Sequence, residues 1–319
     1  MTLAHPIAGI DVGKDTLDVA IITDGKVSEA FSLASDKPAL KKLAEKLKAK
    51  GVGLAVLEAT GGYEFPLMAA LALQGVAFAR VNPRFVRYFA KSLGMLAKTD
   101  KLDAKCLALF GERVRPEPTP LAGKNERRLN GLMLRRRQLV DARQKERNRR
   151  HRAQEPEAKA SLARSIAFLK AEITAIDQAI EALIADTPEI EQRRDLIASF
   201  TGIGRATANT VVACLPELGQ RPARKLKKIV GVAPLNDDSA TRQGPRHIAG
   251  GRPVIRQALF MAAQTGYRHN PLLREFYQRL RAKGKSHKVA LIACVGKIIS
   301  ILSAMVRADR PFNIPSAAA

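Results

Sequence analysis

The sequence predicts an α/β domain followed by an all-α remainder. Three observations carry that prediction. Short apolar runs with strand spacing recur up to Val81. Segments of helical period alternate with them. Beyond Pro120 the strand-like runs stop and helical periodicity takes over.

The elements follow in order. Ile7 to Ile10 is a short apolar run, and Leu17 to Thr23 is a second with period-two character. Asp24-Gly25 signals a hairpin into a third strand, Lys26 to Leu33. Leu40, Leu43 and Leu47 give Pro38 to Lys48 a helical stripe, with Pro38 suited to the first turn. Leu54 to Glu58 reads as a buried strand, Phe65 to Leu73 as a helix and Val76 to Val81 as a strand, and Pro83 opens the next helix. The order β-β-β-α-β-α-β-α, a meander followed by alternation, is that of a ribonuclease H-like fold. Thr99 caps a further helix from Asp100 towards Phe110. Its apolar side is expected to include Leu102, Cys106 and part of Leu109, opposite Asp100 and Asp103.

Arg115 to Pro120 has the proline content of a linker. Glu126 to Arg152 is a basic helix whose apolar residues lie in its first half. Arg135, Arg136, Arg137, Arg147, Arg149 and Arg150 on it are candidates for nucleic-acid contact. Leu162, Ile166, Leu169, Ile173, Ile176, Ile180 and Leu183 then keep a 4,3 spacing. A coiled coil between chains and a bundle within one chain both produce that pattern. Leu196 to Leu215, with Thr201-Gly202-Ile203-Gly204 at its turn, resembles a helix-hairpin-helix. There Gly202 and Gly204 would aim backbone N–H groups at a phosphate, or simply connect two helices tightly. Lys225 to Val230 is a short helix, Asn236 to Gly251 a polar loop, and further helices follow. The expected parts are 1–115, 121–190 and 191–319.

A net charge of +24 and a pI of about 10.4 favour a polyanionic partner, above all nucleic acid. The N-terminal residues lack a signal-peptide layout. The most apolar stretch, Val289 to Val306, is interrupted by Lys297 and reads as a buried helix. A cytoplasmic protein without a membrane partner is expected. The three cysteines are scattered, as suits core residues in a reducing compartment, and the five histidines are too dispersed for a histidine metal site.

In this basic chain the carboxylates of KTDKLDAK at 98–105 stand out. Asp100 and Asp103 share a helix face, and alone they suit a first helical turn. Asp11 and Glu58, however, each end a buried strand, where a charge is costly unless paired or bound to a metal. In the proposed fold those strand tips are neighbours and the later helix crosses near them. Asp11, Glu58, Asp100 and Asp103 then converge on Mg²⁺ or Mn²⁺, the ions that hard oxygen ligands select. Two such ions about 4 Å apart serve phosphodiester chemistry. Asp15, Asp18 and Glu64 are rivals; Asp18 is expected on the alternate, solvent-facing side and Glu64 at a helix start.

GIDVGKDTLDVAI at 9–21, LEATGGYE at 57–64 and KTDKLDAK at 98–105 resemble DEDD-type transposases of bacterial insertion sequences, the IS110 family, described as bridge-RNA-guided recombinases. TGIGRATA at 201–208, VGVAPLNDDSATRQG at 230–244 and GGRPVIRQALFMAA at 250–263 extend the resemblance along nearly the whole chain. It implies a RuvC-like domain holding Mg²⁺ at Asp11, Glu58, Asp100 and Asp103, and a nucleophilic serine that falls on Ser239. It also implies homodimers assembling to tetramers, a composite site between chains, dimer contact through 162–183, and a structured noncoding RNA that pairs with donor and target DNA. Arg242, Arg246 and Arg252 lie near Ser239 in sequence and are candidates to offset charge at a phosphate; His247 is near as well. Ala240 stands where the family often has glycine. Two other readings remain at this stage: a RuvC-like metal nuclease with an inert Ser239, and a non-catalytic nucleic-acid scaffold.

Overall fold

The computed structural model describes residues 5–95, 99–121, 123–236, 238–239, 242–244 and 246–313. It divides into two compact units, Met1–Leu121 and Ala122–Ala319.

In the first unit β1 (Ile7–Val12), β2 (Thr16–Thr23) and β3 (Lys26–Ala34) form the meander. Then come α1 (Lys37–Ala49), β4 (Leu54–Glu58), α2 (Glu64–Leu73), β5 (Phe78–Val81), α3 (Pro83–Ser92) and α4 (Asp100–Val114). The sheet order is β3-β2-β1-β4-β5, with β4 and β5 parallel to β1. This is the arrangement expected of the ribonuclease H-like order. β5 is two residues shorter than its apolar run suggests, beginning at Phe78 rather than Val76.

Strand pleating sorts the two faces. Ala8, Ile10, Leu17, Val19, Ala55 and Leu57 share a core with Leu40, Leu43 and Leu47 of α1 and Leu67 and Leu71 of α2. Val56, Ala79 and Val81 point the other way, into a core with Val86 and Ala90 of α3 and Leu107 and Phe110 of α4. Asp11 and Glu58 fall by the same alternation on the α3–α4 face. Gly9 makes the close approach possible: a Cβ there would lie 2.1 Å from the Ala104 carbonyl oxygen and 2.2 Å from the Ala108 nitrogen. The sheet-facing stripe of α4 runs through Ala104, Leu107, Ala108 and Gly111, all buried. Asp100 and Asp103 continue this stripe at its N-terminal end, by i, i+3 and i+4 spacing. They do not lie opposite the apolar side, as expected from Leu102 and Leu109, which are only half-buried. Buried Leu107 and Ala108, rather than those two residues, mark the packed face.

The second unit contains α5 (Lys124–Arg152), α6 (Pro156–Ala185), α7 (Pro188–Ala198), α8 (Arg205–Cys214), α9 (Ala223–Val230), β6 (Asp238–Ser239), β7 (Arg242–Gln243), α10 (Pro253–His269), α11 (Pro271–Ala282) and α12 (His287–Ala308). α5 and α6 form an antiparallel helical hairpin, tied by Asn125 to Thr187 at 2.9 Å and by Arg136 to Asp177. Leu129, Ile180, Leu183 and Ile184 join the core built with α7, α8, α10 and α12. That shared core places α5 and α6 in the same compact unit as the later helices. Along the 4,3 stripe Ile173, Ile180 and Leu183 are buried while Leu162, Ile166 and Leu169 are half-buried. A partner within the chain therefore accounts for the stripe's C-terminal half.

α12 is long and apolar enough to cross a membrane by length and composition alone, but it is the buried helix that its interruption by Lys297 suggests. Its Leu291, Cys294, Val295, Ile298, Ile299 and Leu302 are fully or almost fully buried among the other helices. Asn236 to Gly251 is not only loop: β6 and β7 pair, and Leu235 bridges to His247.

Candidate metal centre

Asp11 lies near the C-terminal end of β1, and Asp100 and Asp103 occupy the first turn of α4. The Thr99 side chain caps that turn by accepting from the Leu102 N–H at 3.3 Å. The packing of α4 across Gly9 then brings the three residues together. One carboxylate oxygen from each of Asp11, Asp100 and Asp103 lies within 4.8 Å of the others. Asp11 and Asp103 are half-buried and Asp100 is exposed. Burial pushes the Asp11 carboxyl up to about 6, and the charges of Asp103, Asp100 and Asp18 push in the same direction. A cluster that raises its own protonation constant is one that a divalent cation would relieve. The donors are all carboxylate oxygens, the hard set suited to Mg²⁺ or Mn²⁺.

Glu58 ends β4 beside Asp11, half-buried and on the same face. It lies outside the group of three whose oxygens are within 4.8 Å. Its charge and that of Asp103 both act on Cys106, whose thiol burial lifts to about 11.

Asp18 is a correction. It is 9% exposed, pairs directly with Asp11 across β1–β2 and accepts a hydrogen bond from the Ser32 hydroxyl. Directly opposed residues share a face, so Asp18 belongs to the acidic side rather than to solvent. The short turn between the two strands already implied that pairing. Glu64 opens α2 as expected, and its 1% exposure is balanced. It accepts from the Gly62 N–H at 2.8 Å, the Thr60 hydroxyl at 3.0 Å and Arg80 at 3.3 Å. These bonds fasten the chain that leaves Glu58. Asp15 is exposed and outside the acidic group of three.

The remaining candidates separate by what they touch. Ser239 sits in the backbone hairpin opposite Arg242, while Ala240 lies outside the described residues. Arg246 is exposed. Arg252 is already engaged by Glu217, and it donates to the Cys214 carbonyl at 2.8 Å, so it fastens the N-terminal end of α10 to the end of α8. Gly202 has φ +108° and meets Gly266, where a Cβ would lie 2.7 Å from the Gly266 Cα. Helix packing alone therefore explains that glycine; Gly204 caps α8 with open space beside it. Arg136 pairs with Asp177 and Arg137 with Asp141 at 3.0 Å, and Arg135 reaches Gln138 at 3.4 Å. Arg147, Arg149 and Arg150 are exposed, with Arg149 beside Glu146.

Comparison with known proteins decides the family. The DEDD-type IS110 description "Transposase" matches residues 8–153, and "Transposase IS116/IS110/IS902 family" matches residues 194–278. The pilin gene-inverting protein of Moraxella lacunata is 30% identical over 317 residues, covering 96% of this chain and 97% of that protein. The chain belongs to the IS110 family of transposases. It is thus an enzyme of DNA transposition and recombination. The pilin gene-inverting protein of Moraxella bovis is also 30% identical over 317 residues, 96% of this chain and 97% of its own length. A protein of insertion element IS110 from Streptomyces coelicolor is 30% identical over 149 residues, 46% of this chain and 36% of that protein. Among solved structures, Thermus thermophilus RuvC in complex with a Holliday junction substrate aligns with a TM-score of 0.30 and 14% identity, covering 36% of this chain and 99% of that one.

Proposed function

We propose that this IS110-family chain is an RNA-guided DNA recombinase that cuts and rejoins DNA with a Mg²⁺-binding carboxylate site and Ser239 as nucleophile. The observation that carries the reading is the convergence of Asp11, Asp100 and Asp103. These residues would hold the metal, with Glu58 at the adjoining strand end completing the set. A divalent ion there supplies positive charge to a scissile phosphate and favours the ionised form of an attacking oxygen. The chain's own carboxylates orient that charge, and Thr99 and Gly9 hold the two elements in register.

The Ser239 hydroxyl gives up its proton as Oγ attacks phosphorus and an Oγ–P bond forms. The bond to the departing sugar oxygen breaks and that oxygen takes up a proton, so that no net proton is gained or lost. Rejoining is the reverse reaction with a new strand end. The relatives named for gene inversion favour this route, because inversion breaks and reseals DNA and a phosphoserine keeps the bond energy. Arg242 and Arg246, near Ser239 in sequence, would offset phosphate charge. A structured noncoding RNA as guide, and homodimers that assemble to tetramers, are what the resemblance to the family implies, and the charge of +24 suits two nucleic-acid partners. The protein would work in the cytoplasm, at the nucleoid.

The test is a supercoiled donor–target assay with trapping of protein–DNA adducts. A covalent adduct that disappears in Ser239→Ala supports the serine reading. Undiminished cleavage without adduct in Ser239→Ala establishes instead a RuvC-like metal nuclease. Sequencing of RNA co-purified from the native locus tests guidance; a preparation that recombines DNA free of RNA removes it.

A further inference from the structure

Among the described residues five aromatic side chains are exposed, and four of them follow the tips of β4 and β5: Tyr63, Phe65, Phe85 and Tyr88. That is the sheet edge where Glu58 ends its strand, next to Asp11. Phe85 and Tyr88 are 62% and 64% exposed and lie three residues apart, on one side of α3. Arg84 and Lys91, both exposed, extend the same side. The opposite side of α3 packs on α4. Cys106 Sγ lies 3.8 Å from the Val86 carbonyl oxygen, and the Phe89 and Phe110 rings meet edge-to-face at 5.5 Å. Cys106 is one turn from Asp103, so α3 packs beside the helix that carries the acidic turn, with its aromatic side outward.

Nothing in the fold requires two rings in water there. Flat rings interleaved with cations, beside a site for a phosphodiester, have the chemistry that holds single strands: bases stack on the rings and phosphates meet Arg and Lys. Building on the proposed function, we infer that the outer side of α3, with Phe85 and Tyr88 flanked by Arg84 and Lys91, stacks unpaired DNA bases next to the scissile phosphate. The substrate at this site is then locally melted DNA rather than intact duplex. The occupant is DNA because the family acts on DNA and α3 packs on the helix whose first turn carries Asp100 and Asp103.

The test uses the full-length protein in EDTA, which prevents cleavage, with fluorescein-labelled DNA as blunt duplex, as a fork with single-stranded arms, and as a fork with RNA arms. Phe85→Ala with Tyr88→Ala is expected to weaken DNA-fork binding by about tenfold or more, a typical loss for base–aromatic stacking. Duplex binding should stay within about twofold. Phe85→Trp with Tyr88→Trp should restore the fork, because any aromatic face stacks. Should the alanine variant melt early, Phe85→Leu with Tyr88→Leu keeps apolar bulk without a ring and is expected to show the same selective loss. The inference is overturned by equal loss on fork and duplex, by no loss on either, or by loss confined to RNA arms. It is equally overturned if sedimentation of DNA-free protein shows that the alanine variant dissociates an oligomer, which would make this side a contact with a second copy. Asp11→Asn separates the two claims: wild-type cleavage by that variant defeats the proposed function while leaving stacking standing, and normal fork binding by the alanine variant does the reverse.

Discussion

The two units treat interior charge in opposite ways. In the helical unit Arg194 is 2% exposed, yet it meets Asp195 at 2.8 Å, Glu191 at 3.0 Å and Glu181 at 3.2 Å. Arg193 is similarly pinned by the carbonyls of Leu218 at 2.8 Å and Pro216 at 2.9 Å. Arg252 and Glu217 hold one another. Such charges stitch helices together. In the α/β unit the acidic turn of α4 is brought against Asp11 with Asp18 alongside, and like charges accumulate until Asp11 is pushed up to about 6. Even there Glu64, a carboxylate buried for structural reasons, is balanced by Arg80. Opposite charges brought together indicate packing, and like charges brought together indicate a ligand.

The sharpest way to break this contrast is Asp11→Asn. Cleavage of labelled donor DNA should fall by at least about a thousandfold, roughly 4 kcal/mol of lost transition-state stabilisation. Its melting temperature in EDTA should not fall, because a repulsion has been removed. A variant that melts early but still cleaves would make Asp11 structural. Gly9→Ala comes next: overpacking should cost about 1–3 kcal/mol in urea denaturation. By pushing α4 off β1 it should also weaken Mn²⁺ binding, and unchanged affinity would detach the ligand set from that packing.

Arg194→Met removes three charge-assisted bonds whose carboxylates are partly solvated. An expected loss of about 2 kcal/mol, with DNA cleavage per folded molecule unchanged, fits a stitching role. A smaller effect is expected from pH. A carboxyl raised in the folded state binds its proton more tightly there than when unfolded. The metal-free protein should therefore lose stability as pH rises from about 4 through about 6. Mg²⁺ should stabilise more at pH 8 than at pH 5, since its ligands must be ionised. Thermal melts with Mg²⁺ and with EDTA measure this, and equal stabilisation at both values would remove the acidic site as the binder. The smallest change is expected from Arg135→Ala, Arg136→Ala and Arg137→Ala together. Every phosphate that an arginine ceases to neutralise flattens the salt dependence by up to about 0.9. Arg136 and Arg137 already face Asp177 and Asp141, so a salt titration of binding should show a flattening well short of that for three phosphates.

Much of the first unit was legible because its signals are local. Asp24-Gly25 sits at a hairpin turn, Thr99 caps α4, and the leucine stripe of α1 faces the sheet. Asp18 was misplaced because its environment depends on which residue of β1 it opposes, not on its own neighbours. The side of α4 that packs was misread for a related reason. Leu102 and Leu109 are apolar, but the contact with the sheet runs through small Ala104 and Ala108 against Gly9. In the second unit the 4,3 stripe was plain, while its partner within the chain, α5, was not.

The sequence by itself determined the order of strands and helices, the positive surface, the family motifs and the residue types able to grip a hard cation. Periodicity and capping arise between residues a few positions apart, so they survive in a linear reading. Only the tertiary structure decided that Asp11 meets Asp100 and Asp103, that Asp18 joins their side and that Glu58 is not among the three whose oxygens converge. Those distances span almost ninety positions and are set by strand register and by how closely α4 settles on a strand that carries no side chain at Gly9.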